Sequence, residues 1–193
     1  MPGKLSFVEK RTLLQIARRS MIEAVSREKV TPIQLENLPA RLQQDGASFV
    51  TLTKEGELRG CIGTLEAYQP LALDVQEHAI AAALEDYRFN PVTPGELDQI
   101  EMEISWLSEP QDIDYDKPDS LPDHLRPGVD GVILQDGFRK ATFLPQVWQQ
   151  LPDPKYFLSH LCQKMGASAD LWRRRKLQVK IYQVEEFNEG HTL

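Results

Sequence analysis

The sequence predicts an α+β protein with a mainly antiparallel sheet and flanking helices. Two turn signals, Lys54-Glu55-Gly56 and Asp136-Gly137, each separate a pair of short β-rich runs, which reads as two hairpins. A third run alternates cleanly, with Ile100, Met102, Ile104 and Trp106 on one side and Glu101, Glu103 and Ser105 on the other. The helical stretches do not alternate strand by strand with these runs. Hairpins, rather than regular βαβ crossovers, therefore organise the sheet, and a doubly wound fold is not expected.

Taken in order, Ser6-Phe7-Val8-Glu9 has the form of a capping box. Leu13, Leu14, Ala17, Met21, Ala24 and Val25 follow at helical spacing, which predicts a helix from about Phe7 to Arg27. Thr31-Pro32 restarts the chain, and Leu35, Leu38 and Leu42 mark a short helical turn or loop. Strands over Ser48–Thr53 and Glu57–Leu65 come next.

The loop between these two strands decides which residues share a face, because a one-residue slip turns every side chain over. A two-residue turn would put Val50 and Leu52 beside Arg59 and Cys61. A three-residue loop with a left-handed Gly56 puts them with Leu58, Gly60 and Ile62. It leaves Arg59 and Cys61 opposite, with Phe49, Thr51 and Gly63. The second register separates apolar from polar better and is the one expected.

Pro70 opens a helix running to about Glu85, with Leu71, Val75, Ala79, Ala82 and Ala83 inward and His78 as a surface or satisfied residue. Thr93-Pro94-Gly95-Glu96 supplies a cap, an N1 proline and a first-turn carboxylate. The glutamates of the alternating strand are expected on a solvated face. Residues 108–128, rich in Pro and Asp, read as a long surface loop without a core of its own. Gly131–Leu134 and Phe138–Phe143 form the second hairpin, and Leu144-Pro145-Gln146-Val147 leads to a short helical piece. Asp153-Pro154 caps a helix that buries Phe157, Leu158, Leu161, Cys162 and Met165 and stops at Gly166. A last strand, Leu177–Val184, ends at Phe187.

The 193 residues suffice to bury a real core, and one compact domain with at most a small appendage is expected over 1–193. The net charge of −7 argues against broad nucleic-acid binding. No apolar run approaches a membrane span, the N-terminus lacks a signal-peptide core, and two cysteines make no disulfide framework. These features point to a cytoplasmic protein without membrane contact. There is no phosphate loop, dinucleotide fingerprint, HExxH or CxxC, so no cofactor is indicated. Scattered histidines with one cysteine make a poor zinc set, and no metal site is expected.

The segment that carries chemistry is Leu58-Arg59-Gly60-Cys61-Ile62-Gly63. On a strand Arg59 and Cys61 share a face, roughly 6–7 Å apart along it. A guanidinium near a thiol favours the thiolate, the nucleophilic form. Strand glycines such as Gly60 and Gly63 are tolerated where another backbone or a ligand must come close. Cys61 is thus the candidate nucleophile, with His78, His124, His160 or His191 as conceivable bases. Cys162, four residues after Leu158, reads as a small core residue.

Leu58–Gly63 with Thr64-Leu65 resembles the signature of the AMMECR domain family. The resemblance runs on through Asp86-Tyr87-Arg88-Phe89 and Pro91, the Ile100–Leu107 strand, Gly131–Leu134, Ala141–Val147 and Phe157-Leu158 to Lys164 and Gly166, covering about residues 7–187. It implies a single α+β domain with a larger and a smaller subdomain. It supplies no reaction, substrate or cofactor, but it implies a pathway shared with Memo-like and radical SAM proteins. The motif positions it marks are Arg59, Cys61, Asp86, Arg88, Gln146 and Lys164, with Gly60 and Gly63 for backbone geometry. These residues are expected to converge in one cleft, either as an enzyme acting on an anionic substrate through Cys61 or as a non-catalytic binding module. A plain ion pair between Asp86 and Arg88, tying the helix end to the Cys61 strand, is the structural alternative.

Overall fold

The computed structural model describes residues 4–192, and the chain divides into two compact units. The first comprises the chain up to Leu107 together with the stretch from Glu185 onward; the second is Ser108–Val184, inserted between them. Each has its own core, as the expectation of a larger and a smaller subdomain implies.

In the first unit, helix α1 (Phe7–Val25) starts where expected. Ser6 Oγ accepts from Glu9 N at 3.3 Å, while the Glu9 carboxylate accepts from Ser6 N at 2.7 Å. Leu13, Leu14, Ala17, Met21 and Val25 form its buried stripe. The helix stops two residues short of the prediction, at a backbone turn where Arg27 has φ 58°. Strands β1 (Asp45–Lys54) and β2 (Glu57–Gly63) follow, then a two-residue strand β3 (Gln69–Pro70). Pro70 pairs with Asp45 and sits just ahead of α2 (Leu71–Leu84) rather than inside it. Strand β4 (Ile100–Leu107) spans the residues of the alternating run.

The first sheet has the order β2-β1-β4, closed on its far side by the strand β9 (Val184–Asn188), and β3 pairs with the other end of β1. Val50, Leu52, Met102 and Ile104 are fully or almost fully buried against α1 and α2. The alternate residues Thr51, Cys61, Glu103 and Ser105 lie on the opposite face and are half-buried.

In the second unit, β5 (Gln111–Asp112), β6 (Gly131–Asp136), β7 (Arg139–Phe143) and β8 (Gln178–Tyr182) make an antiparallel sheet of order β5-β8-β6-β7. Asp136 pairs with Arg139, so the turn is Gly137-Phe138, and Phe138 stands fully exposed at its tip instead of in the strand. Helix α3 (Pro154–Lys164) is capped by Asp153 and buries Phe157, Leu158, Leu161 and Cys162.

Two expectations fail here. Residues 108–128 are no coreless loop: Tyr115, Leu121 and Leu125 are buried, and the Tyr115 hydroxyl both donates to Leu177 O and accepts from Leu177 N. The predicted last strand is two strands in different sheets, changing over at Gln183, whose N–H goes to Ser108 Oγ and whose carbonyl accepts from Ser108 N. Val179, Tyr182 and Phe187 are all buried, and burial alone does not say in which sheet.

Candidate functional site

The geometry around Cys61 begins with the turn before it. Lys54 pairs with Glu57, so the loop is the two residues Glu55 and Gly56, both left-handed (φ 54° and 82°), not the expected three. The primed turn this produces matches strand twist. The register then shifts between Leu52↔Gly60 and Thr53↔Leu58, leaving Arg59 as the extra residue of a bulge. The bulge restores the expected pairing beyond it: Val50↔Ile62 on the core side, Thr51↔Cys61 on the other. Leu58, predicted in the core, is on the wrong side of the bulge and is 43% exposed.

The two glycines serve packing. A Cβ on Gly60 would fall 2.1 Å from the carbonyl oxygen of Ala82, so α2 lies directly on the strand. At Gly63 it would meet Phe49 Cγ at 2.4 Å, the cross-strand partner whose ring covers the position. The space the sequence offers to a ligand is filled by the protein itself.

The backbone of Cys61 is held from outside the sheet by the loop after α2. Its N–H donates to Asp86 Oδ2 at 2.9 Å, and its carbonyl accepts from Arg88 Nη2 at 3.2 Å. Arg88 also grips Asp86 through Nε at 2.9 Å and Nη2 at 2.7 Å. These Arg88 bonds, then the Cys61 and Arg88 amides, hold the Asp86 carboxyl well below the usual carboxylate range despite its burial. The same carboxylate raises Arg88 further above its ordinary value. The Cys61 sulfur accepts from the Thr51 hydroxyl at 3.3 Å.

Arg59 is not aimed at the thiol. Its guanidinium binds Glu96 through Nε at 3.1 Å and Nη2 at 3.3 Å, and Lys54 Nζ reaches the same carboxylate at 3.4 Å. Glu96 also accepts from the Thr93 N–H and hydroxyl, and Arg59 foremost, then Thr93, lowers its carboxyl to about 2. Glu101 is solvent-exposed as expected, but Glu103 is not on a solvated face. It is half-buried beside Thr51 in the row that includes Cys61, and burial, then Glu186, raises its carboxyl above the ordinary value.

His78 lies on α2, which packs on the other face of the sheet. Its Nδ1 is 3.2 Å from Asp74 Oδ2, which also accepts from Ser48 Oγ at 2.5 Å. All three residues are buried, and Asp74 Oδ1 has no partner. The carboxylate sits between hydroxyl and imidazole, so the imidazole does not activate the serine. His124 and His160 belong to the second unit and each holds a backbone carbonyl one turn back through Nδ1; the His191 side chain is outside those described.

Of the predicted site residues, the first unit brings together Cys61, Asp86 and Arg88, with Arg59 turned to Glu96. Gln146 and Lys164 belong to the second unit: Gln146 is exposed on a short 3-10 turn (Pro145–Gln149), and Lys164 Nζ donates to Thr142 O at 3.0 Å above the Phe143 ring. Cys162 is fully buried, and burial pushes its thiol up. Among the described residues no cluster of three or more His, Cys, Asp or Glu side chains is placed to hold a metal.

Sequence reasoning placed Thr51 on the Cys61 face but passed over Ser48, Asp74 and the Arg59–Glu96 pair. Asp74 left one trace: it falls within the apolar stripe of α2, four residues before His78.

The family model named AMMECR1 matches residues 14–187. The chain belongs to the AMMECR1 family. A relative from Thermofilum pendens is 39% identical over 202 residues, covering 97% of this chain and 92% of its own. One from Methanothermobacter thermautotrophicus is 39% identical over 186 residues, covering 96% of each. The crystal structure of PH0010 from Pyrococcus horikoshii is similar at a TM-score of 0.75 and 31% identity, over 96% of this chain and 93% of that one. The AMMECR1 fold, α+β with antiparallel sheets, is thus the fold of this chain. None of these names states an activity. Among the described residues no helix is long and apolar enough to cross a membrane.

Proposed function

We propose that Cys61 is the working group of this AMMECR1 protein, a thiol presented for attack on, or close contact with, a small or protein-borne anionic substrate. The observation that supports it is the contrast between the two cysteines. Cys162 is sealed in a core, whereas Cys61 is half-buried on the sheet face away from α1 and α2, with its backbone fixed on both sides by Asp86 and Arg88. A fixed backbone preorganises the sulfur, the condition for positioned chemistry. Arg88, 44% exposed in its side chain, supplies the cation beside it. The resemblance to the AMMECR domain family adds a pathway shared with Memo-like and radical SAM proteins.

A brief iodoacetamide pulse on the folded protein at neutral pH, read by mass spectrometry at each cysteine, tests this. Cys61 is expected to be labelled and Cys162 protected; equal protection of both ends the proposal.

A second reading rests on the filled glycines and the carboxylate-paired arginines: the same surface as a non-catalytic binding module. Under it, Cys61→Ser retains full function in cells; under the first, it does not.

A further inference from the structure

Strand β2 is the edge of the first sheet, with β1 on one side and, among the described residues, no strand on the other. In an antiparallel ladder, alternate residues direct both their N–H and C=O outward from the neighbour. Cys61 is such a residue, since its amide and carbonyl both go to groups outside the sheet. An exposed edge of this kind is a template for another strand. Here one acceptor and one donor fill the slot, the Asp86 carboxylate and the Arg88 guanidinium, as a neighbouring strand's C=O and N–H would. Both come from one short loop and are locked to each other by two further bonds. Tyr87 between them is 94% exposed, so its ring stands outside the pair it separates.

We infer that the Asp86–Arg88 pair is a strand substitute that closes the β2 edge against pairing with a second copy of this chain. The second copy is the fitting occupant because the slot is self-complementary. Antiparallel β2 strands related by a two-fold axis at Cys61 would satisfy each Cys61 N–H with the other's Cys61 carbonyl, an isologous contact. Only two charges, Glu57 and Arg59, lie within β2 to oppose it, and they have opposite signs. The Arg59 bulge bends the strand at one end and leaves the Cys61 end for the side chains to guard.

The test compares wild type with Asp86→Ala/Arg88→Ala by size-exclusion chromatography with light scattering across a concentration series, and by amide hydrogen exchange over residues 57–63. The double variant is expected to double in mass relative to wild type as concentration rises, with exchange at 57–63 slowing in step. Adding Cys61→Pro, which removes the outward N–H, is expected to return the mass to the wild-type value. If circular dichroism shows the double variant unfolded, the milder Asp86→Ser/Arg88→Gln decides, since its shorter side chains also release both the Cys61 N–H and its carbonyl, and the same association is expected. Folded variants that keep the wild-type mass overturn the inference, as does a dimer that persists with Cys61→Pro. Alkylation of wild-type Cys61 reports on the proposed thiol role independently of this result.

Discussion

Cys61 and Asp86 are joined through the backbone of one and the carboxylate of the other, at 2.9 Å from Cys61 N to Asp86 Oδ2. The carboxylate is buried and holds its charge only because Arg88 and two amides satisfy it. Asp86→Ala should therefore cost about 2 kcal/mol or more, from the lost charged hydrogen bonds and the amide left bare. Urea unfolding checks it. A loss below about 0.5 kcal/mol would show that the loop is not what holds this end of β2.

Acid should unfold the first unit through the same kind of group. Glu96 titrates at about 2 when folded against an ordinary 4.5, and Asp86 is lowered as well. A depressed folded value means the stability is fully present above the unfolded value and is lost as pH falls from about 4.5 toward 2. Glu96→Gln should lower the thermal midpoint at pH 7 and flatten its decline between pH 4.5 and 2. An unchanged slope there would remove Glu96 from the account.

Two glycines of the β1–β2 hairpin should respond differently to alanine. Gly60→Ala drives a methyl into the Ala82 carbonyl, a backbone atom of a packed helix, and should cost about 2–3 kcal/mol. Gly56→Ala meets nothing within 4 Å, and its cost is only that of φ +82°, about 1 kcal/mol. Equilibrium denaturation of both variants gives the ranking, and a reversed order would contradict the packing of α2 on β2.

In the second unit Phe157 is fully buried, stacked on Trp148 at 3.7 Å between centroids and edge-on to Phe143 at 5.2 Å. Phe157→Ala should cost about 3–5 kcal/mol, visible as a shifted tryptophan fluorescence transition. A cost under 1 kcal/mol would mean that the ring is not central to this core.

Much of the fold was legible because local chemistry set it. The Ser6–Glu9 capping box, the alternation of 100–107 and the Asp153 cap each placed an element correctly. What escaped depended on partners distant in sequence. The Arg59 bulge has no signature in residue type, yet it decides that Arg59 leaves the thiol and meets Glu96. Tyr115 and Leu121 lie in a stretch whose prolines and aspartates look like loop, and Leu177 and the α3 core make them interior. Of the candidate site, the coupling of Cys61 to Asp86 and Arg88 was foreshadowed by the family motifs. Its use of the Cys61 backbone rather than the sulfur was not, since composition says nothing of which atoms are turned outward.

The insertion of Ser108–Val184 between β4 and β9 has a consequence for the order of events during synthesis. Strand β9 is made after the entire inserted unit, so the first sheet cannot be completed until that unit has left the ribosome. The inserted unit, being contiguous, has every residue it needs before the surrounding one does, and the slow step falls to closure of β9 on β4 across a long intervening chain. Until then β4 offers an open edge in the nascent protein, and chaperone capture should concentrate in that interval.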